Sequence, residues 1–155
     1  MSVPRALALG AISGLRSLSG PAFVSRGASR GELDLDESFL SFLGSPLLSK
    51  ALTLMQLGEI IGDKLPMTPS RTTLPPLLAR TAFGGLVGAA AFVPDNRRAT
   101  VGVLLGSSAA LAAAFAGEGL RAVVSGRTGL PDAVAALAED AVVLLVGSRV
   151  SKHAG

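Results

Sequence analysis

The chain has 155 residues, 49% of them hydrophobic and 16% charged, with a mean hydropathy of +0.55. A soluble domain carries about 25% charged residues to cover its surface, so this balance excludes an ordinary soluble domain and points to a single integral membrane domain over residues 1–155. With no cysteine and one histidine, His153, lying beyond the last apolar segment, disulfides, thiolate nucleophiles and His- or Cys-built metal sites in the fold are excluded, and no cofactor is expected.

The first apolar segment runs from Ala6 to Val24, broken only by Arg16. As one helix of about 28 Å it roughly matches the hydrocarbon core of a bilayer. Gly10, Ser13, Ser17 and Gly20 give it a small-residue face that wants a neighbouring helix. The competing reading is a secretory signal starting at Arg5, against which Arg16 and the lack of a clean cleavage site count. Residues from Ser25 to Ser45 read as an exposed polar loop, with a short interfacial turn over Phe39 to Leu43.

The second helix runs from Pro46 to about Leu65. Ser49, Thr53, Gln56, Glu59 and Asp63 recur at spacings of four, three, three and four, so they share one face, while Leu52, Leu54, Leu57, Ile60 and Ile61 cover most of the rest. Pro66 and Pro69 end it, since neither has an N–H to donate. Asp63 and Lys64 read equally well as solvated charges at a helix end. Glu59 lies a turn further in, and a carboxylate there must face protein or water, which makes it a functional-site candidate.

Leu77 to Val93 is the third helix, with Arg80, Gly84 and Gly88 repeating every four residues. Ala99 to Gly117, free of charge, is the strongest spanning signal, and it carries a second GxxxG pair at Gly102 and Gly106. Glu118 and Arg121 follow at its end, three apart, where the bland reading is a weak local ion pair. Ala133 to Val150 is the last helix, interrupted by Glu139 and Asp140. Nothing alternates with period two, so the class is all-α: a polytopic membrane protein of about five transmembrane or re-entrant helices. The missing Trp and Tyr, and hence the missing aromatic belt, count against a membrane.

Five alternating spans would carry Glu59, Asp63, Arg80, Glu118, Arg121, Glu139 and Asp140 towards one membrane face, with Arg16 deeper. An unpaired charge at the bilayer centre costs about 2.5 to 3.5 kcal/mol or more, so pairing is expected. The expected pairs are Arg16 with Glu59, and Arg121 with Glu139 or Asp140. Arg16, Glu59, Asp63, Lys64, Arg71, Arg80, Arg121, Glu139 and Asp140 form the candidate polar cluster, or ion or substrate site. The remaining Lys and Arg are scattered rather than striped with aromatics, which argues against nucleic acid. On the five-span topology, Arg5, Lys64, Arg71 and Arg127 face one side and Arg26, Arg30, Arg97, Arg98, Arg149 and Lys152 the other, leaning towards an outside N-terminus. Gly14-Leu15-Arg16 recurs as Gly119-Leu120-Arg121, each followed by Ser-Gly, which suggests a weak inverted repeat.

The run Glu59-Ile60-Ile61-Gly62-Asp63-Lys64-Leu65-Pro66-Met67-Thr68-Pro69-Ser70-Arg71-Thr72 resembles the signature of the family known as "domain of unknown function 4126". Gly14-Leu15-Arg16 with Pro21 shortly after, and Leu130-Pro131-Asp132 followed by Ala138-Glu139-Asp140, agree with it. The resemblance implies a small multi-pass protein of the bacterial inner membrane and attaches no activity to it. Three functions compete. A transporter or channel would use the carboxylates as a proton or cation site. A structural or assembly protein would use the same charges as interhelical glue. A membrane enzyme ranks last, because no nucleophile with a base and no phosphate-cradling loop is present. The partner is the lipid bilayer and, for a homo-oligomer, a second copy meeting the Gly84/Gly88 or Gly102/Gly106 face.

Overall fold

In the computed structural model, which describes residues 2–62, 72–129 and 131–152, the first apolar segment is two helices rather than one. Helix α1 spans Ser2–Leu15 and α2 spans Ser19–Ser29. Pro21 explains the break. It is the third residue of α2, where a missing N–H costs nothing, whereas within a continuous helix its ring would meet the carbonyl four residues back. The two arms fold back on each other: Gly20 lies against Leu9 and Ser13, and Phe23 and Gly27 share a small cavity with Arg5 and Leu9. Arg16, Ser17 and Leu18 therefore form the tip of a helical hairpin, and the single continuous helix expected over Ala6 to Val24 is corrected to two arms that fold back on each other.

The segment after α2 also departs from expectation. It is not an exposed loop, because Leu33, Leu35, Leu40 and Leu43 are all buried, and the Ser25 hydroxyl, 2.6 Å from the Leu43 carbonyl, donates to it. A 3-10 turn over Ser41–Gly44 leads into α3, Pro46–Gly62. Then come α4, Leu74–Phe92, and α5, Ala99–Thr128. Helix α5 is longer than the charge-free run suggested, because Glu118 and Arg121 lie within it. Its 30 residues make about 45 Å. It ends at Gly129, whose φ of 64° is a left-handed cap and whose N–H bonds the Ser125 carbonyl. Helix α6, Asp132–Lys152, completes an all-α fold with no strand among the described residues.

Helix α1 sits at the centre, touching α4, α5, α6 and α2. Small residues set how closely these elements approach. A Cβ on Gly106 would run into the Gly84 carbonyl, one on Gly102 into the Gly88 carbonyl, and one on Gly10 into the Gly106 carbonyl. The two GxxxG pairs thus face each other across α4 and α5 within one chain, so they are covered rather than open to a second copy. Ala6, Leu9 and Ile12 of α1 pack with Phe23 and Val24 of α2 and Val87 to Phe92 of α4 to form the core. Two helices, Leu74–Phe92 and Ala99–Arg127, are long and apolar enough to cross a membrane.

Candidate functional site

A helix end leaves backbone groups without intrahelical partners, and a hairpin tip places two such ends side by side. At the Arg16–Leu18 tip they are met by charged side chains from other helices. The Glu59 carboxylate of α3 accepts at Oε1 from the Ser17 N–H at 2.8 Å and the Ser17 hydroxyl at 2.6 Å. At Oε2 it accepts from the Leu18 N–H at 2.9 Å. An anion on the amides immediately preceding α2 also complements that helix's dipole. At the opposite end, Arg80 Nη1 donates to the Gly14 carbonyl at 2.8 Å and the Leu15 carbonyl at 2.7 Å, so a cation closes the C-terminus of α1. Arg80 Nη2 lies 3.8 Å from Glu59 Oε1, linking the two caps.

Arg16 points away from both caps. Its side chain is fully buried, and its Nε and Nη2 reach Asp140 Oδ1 of α6 at 2.8 and 2.7 Å. One residue earlier on α6, Glu139 Oε2 accepts from Arg121 Nη2 of α5 at 2.6 Å. The expected pairing of Arg121 with Glu139 is present. That of Arg16 with Glu59 is not, because the reversal of the chain turns Arg16 towards α6 and leaves its neighbouring amides, not its guanidinium, facing α3. The structure thus brings Arg16, Glu59, Arg80 and Asp140 to one tip, with Arg121 and Glu139 alongside. Asp63, Lys64 and Arg71 lie outside the described residues, as do Pro66, Pro69 and His153.

The polar stripe of α3 does face one neighbour. Gln56 Nε2 donates to the Ser19 hydroxyl at 3.1 Å, and Thr53 accepts from Arg26 at 3.1 Å, so Thr53, Gln56 and Glu59 climb α2 in antiparallel order. Ser17 and Ser19 were missed as site residues. The signal was Pro21, since hydroxyl residues just before a proline mark a helix start. The two Gly-Leu-Arg segments occupy different settings: Gly14 lies in the last turn of α1 against Ala110, whereas Gly119 is inside α5 with open space at its Cβ position. Beyond the tip, between α5 and α6, lies a cleft of about 560 Å³ with Leu15 at one end, Gly117, Leu120 and Val142 on its walls, and the Arg121–Glu139 pair as its polar feature.

The comparison with known families bears on this arrangement directly. A family model described as a domain of unknown function, DUF4126, matches residues 4–151. The chain belongs to this family. The match includes both arms of the hairpin and every candidate residue named above, so the tip is part of what the DUF4126 model covers. No curated protein and no solved structure matches the chain.

Proposed function

We propose that this DUF4126 protein is a small multi-pass protein of a bacterial cell membrane, with α1 and α2 forming a re-entrant hairpin whose tip is the polar element of a transporter- or channel-like path. Its arms are about 21 and 16 Å long by the helical rise, short of the roughly 30 Å hydrocarbon core. The tip then lies at mid-depth, where irregular backbone is tolerated only if protein or water satisfies it. Helix ends meeting at mid-depth are the substrate and ion sites of many transporter folds. The observation that carries the reading is the double cap: Glu59 on the Ser17 and Leu18 amides that lead into α2 and Arg80 on the last carbonyls of α1, 3.8 Å apart and both drawn from other helices.

Embedding is supported by the apolar surface. Leu47, Leu54, Ile61, Leu74, Leu104 and Leu145 each expose more than 60% of their surface, on four different helices, and such breadth suits lipid better than water. The hairpin also reorders the charges. Because α2 returns to the side where α1 starts, Arg5, Arg26, Arg30, Lys50, Arg97, Arg98 and Arg149 gather at one end. Among the described residues, Arg127 lies at the other. By the positive-inside rule the N-terminal end is cytoplasmic, which reverses the orientation favoured by five alternating spans. The α5–α6 cleft then lies on the outer side of the tip.

Flux is the test. Protein reconstituted in liposomes should move protons or monovalent cations, and Glu59→Gln or Glu139→Gln should reduce that flux several-fold while the protein remains folded. A second reading, structural glue, is favoured by the fact that Glu59, Asp140 and Glu139 each already have a basic partner on another helix. On that reading the same substitutions lower unfolding midpoints, and no flux exists to change.

A further inference from the structure

A groove of about 510 Å³ lies between the last turns of α2 and the first turns of α3, at the basic end of the molecule. Arg26, Arg30 and Lys50 line it together with Ser29, Thr53 and Leu54. Among the described residues, no carboxylate lies within ion-pair distance of these three cations, and none of the nearby acids Glu32, Asp34, Asp36 and Glu37 lines the groove. Arg26 is held in place. Its guanidinium lies 5.5 Å from the centre of the Phe23 ring. Its Nη2 donates to the Thr53 hydroxyl at 3.1 Å, and that hydroxyl in turn donates to the Ser49 carbonyl at 2.8 Å. One nitrogen of the fork is thus anchored while the others remain for an anion. Three positive charges lining one groove attract an anion placed among them.

Resting on the membrane reading above, we propose that this groove binds the phosphate group of an anionic phospholipid. Two features favour a lipid over a soluble phosphate. Leu47 and Leu54 expose 78% and 69% of their surface beside the groove, where acyl chains would run. The groove also opens at the end of the molecule assigned to the cytoplasmic leaflet, where anionic lipids meet basic pockets between helices. The phosphate sits among Arg26, Arg30 and Lys50, with the Ser29 and Thr53 hydroxyls as secondary partners.

The experiment is native mass spectrometry of the detergent-purified full chain with phosphatidylglycerol, phosphatidylcholine or inorganic phosphate added. Phosphatidylglycerol should be retained in preference to phosphatidylcholine. Arg30→Gln and Lys50→Gln, both at exposed positions that leave packing untouched, should each weaken it about fivefold, and the triple change with Arg26→Gln by roughly a hundredfold. Arg97→Gln with Arg98→Gln, which removes charge at the same end but outside the groove, should change affinity by less than about twofold. Equal retention by the parent and the groove variants, or an equal loss in the Arg97/Arg98 control, overturns the proposal. Inorganic phosphate binding as tightly as phosphatidylglycerol reassigns the groove to a soluble anion and overturns the lipid source. Release of the protein from membranes by alkaline carbonate without detergent overturns the membrane reading and the lipid proposal with it. Failure of the groove variants in a protein that resists carbonate overturns this proposal alone.

Discussion

Arg16 has no exposed surface, and its charge is balanced in place by Asp140, 124 positions along the chain. Taking either partner away leaves an uncompensated buried charge, which costs about 3 to 5 kcal/mol, whereas replacing both by apolar groups of similar volume is often close to neutral. Arg16→Met and Asp140→Leu should therefore each lower stability by about that amount, and the double substitution should restore most of it. Unfolding midpoints in detergent check this, and additive losses would show that the pair does not act as one unit. Glu59 differs in kind, since three of its four contacts are hydrogen bonds from the tip itself. The spacing of polar residues on α3 exposed Glu59 as a candidate because a carboxylate in an apolar run has few explanations. Its partner was not legible: pairing by opposite charge picks Arg16, while the orphan amides of Ser17 and Leu18 carry no charge and leave no mark in composition.

Glycine decides how the elements meet. A Cβ on Gly106 would run into the Gly84 and Gly88 backbone, so Gly106→Ala forces α4 and α5 apart and should destabilise by about 1 to 3 kcal/mol. Gly58 and Gly119 lie in helices with nothing near their Cβ positions, and alanine at either should be neutral or stabilise by up to about 1 kcal/mol. Comparing the three in one unfolding assay separates packing from helix propensity, and equal effects would contradict the packing described. The helices themselves were legible because apolar runs, prolines and turn residues are local signals. The hairpin was less so, since Ala6 to Val24 has the length of a span and the folding back depends on what Gly20 meets in α1. Pro21 was the available clue. The burial of Leu33, Leu35, Leu40 and Leu43 was likewise hidden among Asp and Glu, whose polarity suits a surface loop even when alternate leucines point inward.

At the scale of the whole molecule, one reversal at Arg16–Leu18 changes everything downstream. Five alternating spans put the N-terminal start and the segment after α2 on opposite faces, whereas a re-entrant hairpin puts them on the same face. That gathers most of the described basic residues at one end and, on the proposed membrane reading, carries the polar tip to mid-depth. A homo-oligomer, if formed, needs a surface other than the two GxxxG pairs, since these are covered within the chain. The absence of cysteine makes the topology directly measurable. Single cysteines introduced as Val3→Cys, Asp36→Cys and Arg127→Cys, probed in intact cells with a membrane-impermeant thiol reagent before and after permeabilisation, decide it. A re-entrant hairpin predicts that the cysteines at positions 3 and 36 react only after permeabilisation while that at position 127 reacts in intact cells. Labelling of positions 3 and 36 from opposite faces would contradict it.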